Sequence, residues 1–183
     1  MQVFTKIHEV HLSDVNIKTI ADVIIHKWQE HICLDHRTLP TLSELKKTKT
    51  LGLITNFDHP PHVRKLLSEY GLDLFFDVIV ISEDVGVTKA NPNIFYDAFT
   101  KTGVLASETV YVGDTEEDVA AARAAKVRPI FIRRNGVATD RRTLDYSDCA
   151  SESTPKERPE ELRDVATISS LDELLTEYGG ICV

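Results

Sequence analysis

Val110-Tyr111-Val112-Gly113-Asp114-Thr115-Glu116-Glu117-Asp118-Val119 is the stretch whose reading decides the fold. Thr109 to Val112 is a short apolar run of β-branched and aromatic residues, the composition of a buried strand. Gly113, Asp114 and Thr115 break it, and the Ala-rich segment from Glu116 to Lys126 predicts a helix. Asp114 followed by Glu117 also has the pattern of a helix N-cap with its capping-box partner. Strand, polar turn and helix in that order form the repeating half of an α/β fold.

The same order continues on both sides. Upstream, Leu51-Gly52-Leu53-Ile54 predicts a buried strand that exits through Thr55-Asn56, and Asp77 to Ser82 predicts a second. Helices are expected over 41–47 (opened by Thr41, with Glu44 as capping-box partner), over 63–70 (stopped by Gly71) and over 92–102 (stopped by Gly103). Downstream, Pro129 to Ile132 predicts a fourth strand, Val165 to Ile168 a short edge strand, and Leu171 to Tyr178 a last helix ended by Gly179-Gly180. Helix and strand thus alternate from residue 41 to 132, which implies a parallel sheet with right-handed crossovers. Residues 1–36 differ: they are polar, hold five of the seven histidines, and carry Ile17, Ile20, Ile24 and Trp28 at helical spacing. Residues 137–165 interrupt the alternation. Ser147 to Arg163 is rich in Ser, Glu, Pro and Arg and is expected to be a mobile loop.

Composition limits the function. The chain has 183 residues, 42% hydrophobic and 27% charged, which suits a globular domain of ordinary size. Twenty-one basic against 29 acidic residues give a net charge of −8, which disfavours nucleic-acid binding. The exception is Arg123 to Arg142, with seven basic residues and one acid, expected to be a solvated helix end and loop. No apolar run approaches the roughly 20 residues of a membrane span, and the first residues lack a signal-peptide pattern. Cys33, Cys149 and Cys182 are odd in number and far apart. They read as reduced thiols of a cytoplasmic protein.

In open parallel sheets, ligands bind at the carboxyl ends of the strands. The polar residues just after each run are Thr55 and Asn56, then Ser82 and Glu83 with Lys89 further on, then Asp114, Thr115 and Asp118. A hydroxyl, an amide, an ammonium and two carboxylates on one edge suit an oxyanion beside a divalent cation: the donors and the lysine take phosphate oxygens, and the carboxylates hold magnesium. His59 and His62, which bracket a double proline, could line such a pocket. His8 and His11 have no accompanying ligand set, and Cys33 has no pattern of a nucleophile.

Leu53-Ile54-Thr55-Asn56, the segment from Gly86 through Lys89 to Phe95, and Val110 to Val119 resemble motifs II, III and IV of the haloacid dehalogenase-like hydrolases. The resemblance covers residues 38–132 and the final helix. It implies a Rossmann-like core at 38–183 with residues 1–37 as part of a helical cap, and a magnesium-dependent phosphatase of small phosphorylated metabolites. By motif, Thr55, Lys89 and Asp114 would be catalytic. Thr55, Asn56 and Lys89 would bind the phosphate, Asp114 would ligate magnesium, and Asp118 would support it directly or through water. Ala90 stands where the family often has proline. Motif I of the family, a strand ending in Asp-x-Asp that supplies the nucleophile and lies between the motif II and motif IV strands, has no counterpart: among 15 aspartates, no two are separated by one residue. Two expectations follow. This chain by itself is inactive or a non-catalytic binding module on the same scaffold, and the two open edges in the middle of the sheet are covered by the N-terminal segment, with Val3 to Leu12 as the candidate, by a second copy or another chain, or by the preceding strand of a longer protein.

Overall fold

The computed structural model describes residues 14–89, 91–133, 162 and 164–177. The chain divides into two units, Met1–Leu34 and Asp35–Val183. In the first, the spacing of Ile17, Ile20, Ile24 and Trp28 gives a helix, α1 (Asp14–Gln29), whose end is tied by Lys27 Nζ to Glu30 at 3.1 Å.

The second unit runs α2 (Thr38–Lys46), β1 (Gly52–Thr55), α3 (Pro60–Glu69), β2 (Val78–Ile81), α4 (Ser82–Val85), α5 (Asn93–Thr102), a 3-10 turn (Ala106–Glu108), β3 (Val110–Gly113), α6 (Glu116–Ala124), β4 (Arg128–Ile132), β5 (Ala166–Ile168) and α7 (Glu173–Glu177). Every strand pair is parallel: Thr55 lies opposite Ile81, Gly113 opposite Phe131, and Ile132 opposite Ile168. The α/β architecture expected from the alternation is therefore present. The strands form two groups, β1–β2 and β3–β4–β5, and β1 does not pair with β3.

The strands form where they do because both faces are covered. In β2, Val78 and Val80 pack with Ile94, Phe95 and Ala98 of α5 and with the alanines of α6. Ile81 points the other way, onto Val63 and Leu67 of α3. Ile130 and Ile132 of β4 meet Ile168 and Leu174. Such positions tolerate only apolar side chains, each worth about 1.5–3 kcal/mol on burial, and this is why the strands read as continuous apolar runs.

Caps place the helix ends. His59 accepts from the His62 backbone N–H at 3.3 Å through Nδ1, and Pro60 and Pro61 occupy the first helical positions of α3. Gly103 stops α5 in the left-handed region (φ 73°). Three expectations need correction. α2 begins at Thr38, so Thr41 is not its cap but a buried interior residue at 2% exposure. The cap of α6 is Thr115 with Asp118 as capping-box partner, rather than Asp114 with Glu117. Leu162, at the end of the segment expected to be a loop, is buried together with Val165 against Val119 and Phe131, because β4 and α6 present an apolar face there. The rest of residues 137–161 lies outside the described residues, as do Val3 to Leu12 with His8 and His11, Cys149 and Cys182.

The start of β1 is held by Asp77, which accepts from Lys46 Nζ at 2.6 Å and from the Leu51 N–H at 2.9 Å. The Lys46 ammonium and the Leu51 amide hold the Asp77 carboxyl below its usual range against a small opposing effect of burial. Because the folded value is lowered, the stabilisation is present above the ordinary carboxylate range (about 4) and is lost as pH falls through the lowered value. Asp77→Asn should therefore flatten the acid limb of a urea-denaturation stability curve. At neutral pH it should cost no more than about 1 kcal/mol, since the pair is partly exposed.

Candidate functional site

The site lies where the two strand groups approach one another, at the carboxyl ends of β1 and β3. Thr55 ends β1 and is half-buried, and Asn56 follows it, exposed. Asn56 Oδ1 accepts from the Lys89 backbone N–H at 2.7 Å. This bond commits the amide oxygen and leaves the amide NH2 as the donor end. Ser82, just after β2, accepts from the Phe57 N–H at 3.0 Å, which ties the exit of β1 to its neighbour.

Lys89 crosses to the other strand group. Its Nζ lies 2.7 Å from Asp118 Oδ1, with the lysine side chain 20% exposed and the aspartate 1%. Asp118 is a hub. Oδ1 also accepts from the Tyr111 hydroxyl at 3.2 Å, and Oδ2 accepts from the N–H of Asp114 (3.2 Å), the N–H of Thr115 (3.2 Å) and the Thr115 hydroxyl (2.8 Å). Burial opposes ionisation of Asp118, but the bonds from Lys89 and Thr115 outweigh it and hold the carboxyl below its usual range. Burial first, and the adjacent Asp118 second, push the Tyr111 hydroxyl well up, so it stays protonated and donates. Its ring packs edge-on against Phe95 at 5.0 Å.

Thr55, Asn56, Lys89, Asp114 and Asp118 thus all lie at the carboxyl edge. Asn56, Lys89 and Asp118 are linked by direct hydrogen bonds. Asp114 remains exposed at the end of β3, with its carboxylate outside the Asp118 network. Among the described residues, no three His, Cys, Asp or Glu side chains gather as a metal cage. The donor set nevertheless fits magnesium, which commonly takes one or two protein carboxylates and fills its other positions with water and phosphate oxygens. Asp114 is the carboxylate available for direct ligation, whereas both oxygens of Asp118 are already used.

The sequence by itself assigns no role to Tyr111 and Thr115 of this motif. The signal for Thr115 was its place three residues before Asp118, the capping-box spacing. Tyr111 gives no such signal, because a tyrosine in a buried strand reads first as core. His59 serves as a helix cap, and His62 is buried at 6% exposure beside the Phe57 ring at 5.8 Å. Burial and the neighbouring His59 lower the pKa of His62, which therefore stays neutral at pH 7. Arg123, Lys126, Arg128 and Arg133 of the basic stretch are exposed. No helix among the described residues is long and apolar enough to cross a membrane.

A strand-exit threonine and asparagine, a lysine from a second loop and an aspartate pair after a third strand thus share one edge of an α/β fold. The family model of haloacid dehalogenase-like hydrolases matches residues 1–132, and the chain belongs to that family. It is 36% identical over 129 residues to glyceraldehyde 3-phosphate phosphatase of Methanopyrus kandleri, covering 69% of this chain and 54% of that protein. It is 41% identical over 75 residues to phosphoglycolate phosphatase of Yersinia pestis, covering 41% of this chain and 32% of that protein. The crystal structure of a HAD phosphatase from Thermococcus onnurineus superposes with a TM-score of 0.64 at 27% identity, covering 100% of this chain and 72% of that one. The chain thus spans about half the length of the first of these curated relatives and a third of the second.

Proposed function

We propose that this chain provides the phosphate- and metal-binding half of a magnesium-dependent phosphomonoester hydrolase acting on a small phosphorylated metabolite. The observation that carries the reading is the hydrogen-bonded run Asn56–Lys89–Asp118 across the carboxyl ends of two strand groups. Names of relatives support the substrate class: two of them are phosphatases of different small phosphate esters, a triose phosphate and a glycolate phosphate. What those esters share is the phosphoryl group.

In this reading the Thr55 hydroxyl and the Asn56 amide NH2 donate to phosphate oxygens, and Lys89 neutralises their charge. Asp118 does not touch substrate. It fixes the Lys89 ammonium and, through Thr115 and the Asp114 N–H, the turn that presents Asp114. Asp114 would hold magnesium, which when bound offsets phosphate charge as a Lewis acid. The attacking carboxylate of an Asp-x-Asp pair is not among these 183 residues. That favours a second reading, a non-catalytic phosphate-binding module on the same scaffold.

The two readings separate in one series of measurements. Calorimetric titration of the chain with inorganic phosphate in the presence of magnesium should give saturable binding. Thr55→Val should weaken it about tenfold or more, the value of a charge-assisted hydrogen bond of about 1.5–3 kcal/mol. Asp114→Asn should remove the effect of magnesium on phosphate affinity. Hydrolysis of p-nitrophenyl phosphate by the chain extended with an apolar strand ending in Asp-x-Asp, lost with Asp114→Asn, would establish the enzyme, and binding without hydrolysis in that extended form would establish the module. Absence of phosphate binding would overturn both.

A further inference from the structure

The two oxygens of Asp118 serve different neighbours. Oδ2 takes the three donors of the turn: the N–H of Asp114, the N–H of Thr115 and the Thr115 hydroxyl. Among the described residues, Oδ1 takes two groups: the Lys89 ammonium at 2.7 Å and the Tyr111 hydroxyl at 3.2 Å. A carboxylate oxygen offers about two acceptor directions. Both directions of Oδ1 are therefore filled, one by the lysine and one by the tyrosine.

The two groups approach from opposite sides. Lys89 comes from the carboxyl edge, where its backbone N–H donates to Asn56. Tyr111 comes from within the fold. It precedes Gly113 in β3, packs against the core cluster of α5 and α6, and stands edge-on to the Phe95 ring at 5.0 Å. The same tyrosine also meets what supports the lysine loop. Val87 packs on the cluster that Tyr111 packs on. The Asn91 N–H donates to the Thr88 carbonyl at 2.9 Å and the Ile94 N–H to the Asn91 carbonyl at 3.2 Å, so the loop runs directly into the first turn of α5, which holds Phe95. Tyr111 thus touches both the aspartate that pairs with Lys89 and the helix that closes the Lys89 loop. A hydroxyl that only had to be satisfied in the core could use any acceptor; this one sits on the oxygen that faces the lysine.

We propose that Tyr111 is a positioning residue for Lys89: its hydroxyl occupies the inner acceptor direction of Asp118 Oδ1 and confines the ammonium to the outer one, at the edge where Thr55 and Asn56 stand. A lysine ammonium is a compact charge with three N–H donors on a flexible four-carbon stem, so an ion pair by itself does not fix where it sits. With the inner direction open, the ammonium slides over the oxygen toward the core, and its outward N–H groups lose their aim. Hydrogen bonds weaken steeply once that alignment goes. Tyr111 itself makes no bond to substrate. That the setting serves phosphate rests on the reading of Lys89 as a phosphate ligand; the setting of the ammonium does not.

Tyr111→Phe keeps the ring and its seat on Phe95 and removes only the hydroxyl. The first measurement is the side-chain ammonium spectrum of the full chain labelled with isotopic lysine nitrogen, in which the signal that Lys89→Gln deletes belongs to Lys89. In Tyr111→Phe this signal should shift and exchange its protons with water faster. The second is calorimetric titration with inorganic phosphate in the presence of magnesium. Tyr111→Phe should bind phosphate about fivefold more weakly than the parent, the size of an ordinary coupling between neighbouring groups. In the Lys89→Gln background the same substitution should change phosphate affinity little. An ammonium signal that Tyr111→Phe leaves unmoved would overturn the proposal. So would an equal weakening with and without the lysine, since a tyrosine that only packs the core acts in both backgrounds. A parent chain that binds no phosphate would sink the phosphate reading alone, and the ammonium signal would still decide the role of Tyr111.

Discussion

Asp118→Ala is expected to lower the free energy of unfolding by about 3–5 kcal/mol, the cost of removing one member of a buried, hydrogen-bonded ion pair. The substitution deletes the acceptor for Lys89 Nζ, the Tyr111 hydroxyl, the Thr115 hydroxyl and two backbone N–H groups at once. Water can reach little of this space, since Asp118 is 1% exposed and the Lys89 side chain 20%. The ammonium would be left without its counter-charge in a poorly hydrated site. For a domain whose total stability is about 5–15 kcal/mol, this is a large fraction, so the variant is to be measured by urea denaturation at low temperature. Asp118→Asn keeps the shape and one acceptor oxygen and should fall between the variant and the parent. The folded pKa of Asp118 is lowered, so its contribution is present above the ordinary carboxylate range and fades as pH falls through the lowered value. The difference between parent and Asp118→Asn should therefore shrink in acid. A loss under about 1 kcal/mol for Asp118→Ala would show that the Lys89 pair does not form in solution.

The behaviour of this one residue explains what the sequence could and could not say. The placement of Asp118 was legible, because a polar turn after an apolar run must lie at the carboxyl edge of a parallel sheet. Its role was not. Spacing alone makes Asp114 and Asp118 equivalent carboxylates one turn apart. Their difference arises from Lys89, which comes from another loop, and from Tyr111, which reads as core. The strands were legible for a related reason: Val78 to Ile81 is covered on both faces, so nothing but an apolar run fits. Helix starts were less so. Thr41 has the pattern of a cap, but the chain turns helical at Thr38 and buries Thr41 inside. Leu162 was hidden by the polar composition around it, because one apolar residue beside Val165 suffices to complete the cover of Val119 and Phe131. The division between β1 and β3 was legible only through the absent Asp-x-Asp strand.

Gly113→Ala should be the most damaging methyl addition in the second unit, at about 3 kcal/mol, the upper part of the range for overpacking. A Cβ there would lie 2.3 Å from Asp118 Cβ, 2.6 Å from its Cγ and 2.8 Å from its Oδ2. The clash cannot be relieved by swinging a flexible tip. Asp118 Cβ is fixed to α6, and its carboxylate is fixed by Lys89, Tyr111 and Thr115. Either α6 must move off β3 or the capping box must open, and both displace Asp114. Gly52→Ala provides the contrast. Its nearest neighbour would be Val78 Cγ1 at 3.1 Å, the end of a side chain. Replacing a strand glycine also recovers about 0.5–1 kcal/mol of backbone entropy, so Gly52→Ala should change stability by less than about 1 kcal/mol. Denaturation midpoints of the two variants check the ranking. Combining Gly113→Ala with Asp118→Ala checks the cause, since alanine at 118 keeps the clashing Cβ but frees the helix from its anchors. The pair should cost less than the sum of the singles, with a coupling of about 1 kcal/mol or more. Strict additivity would mean that Gly113 is required for a reason other than the close seat of Asp118.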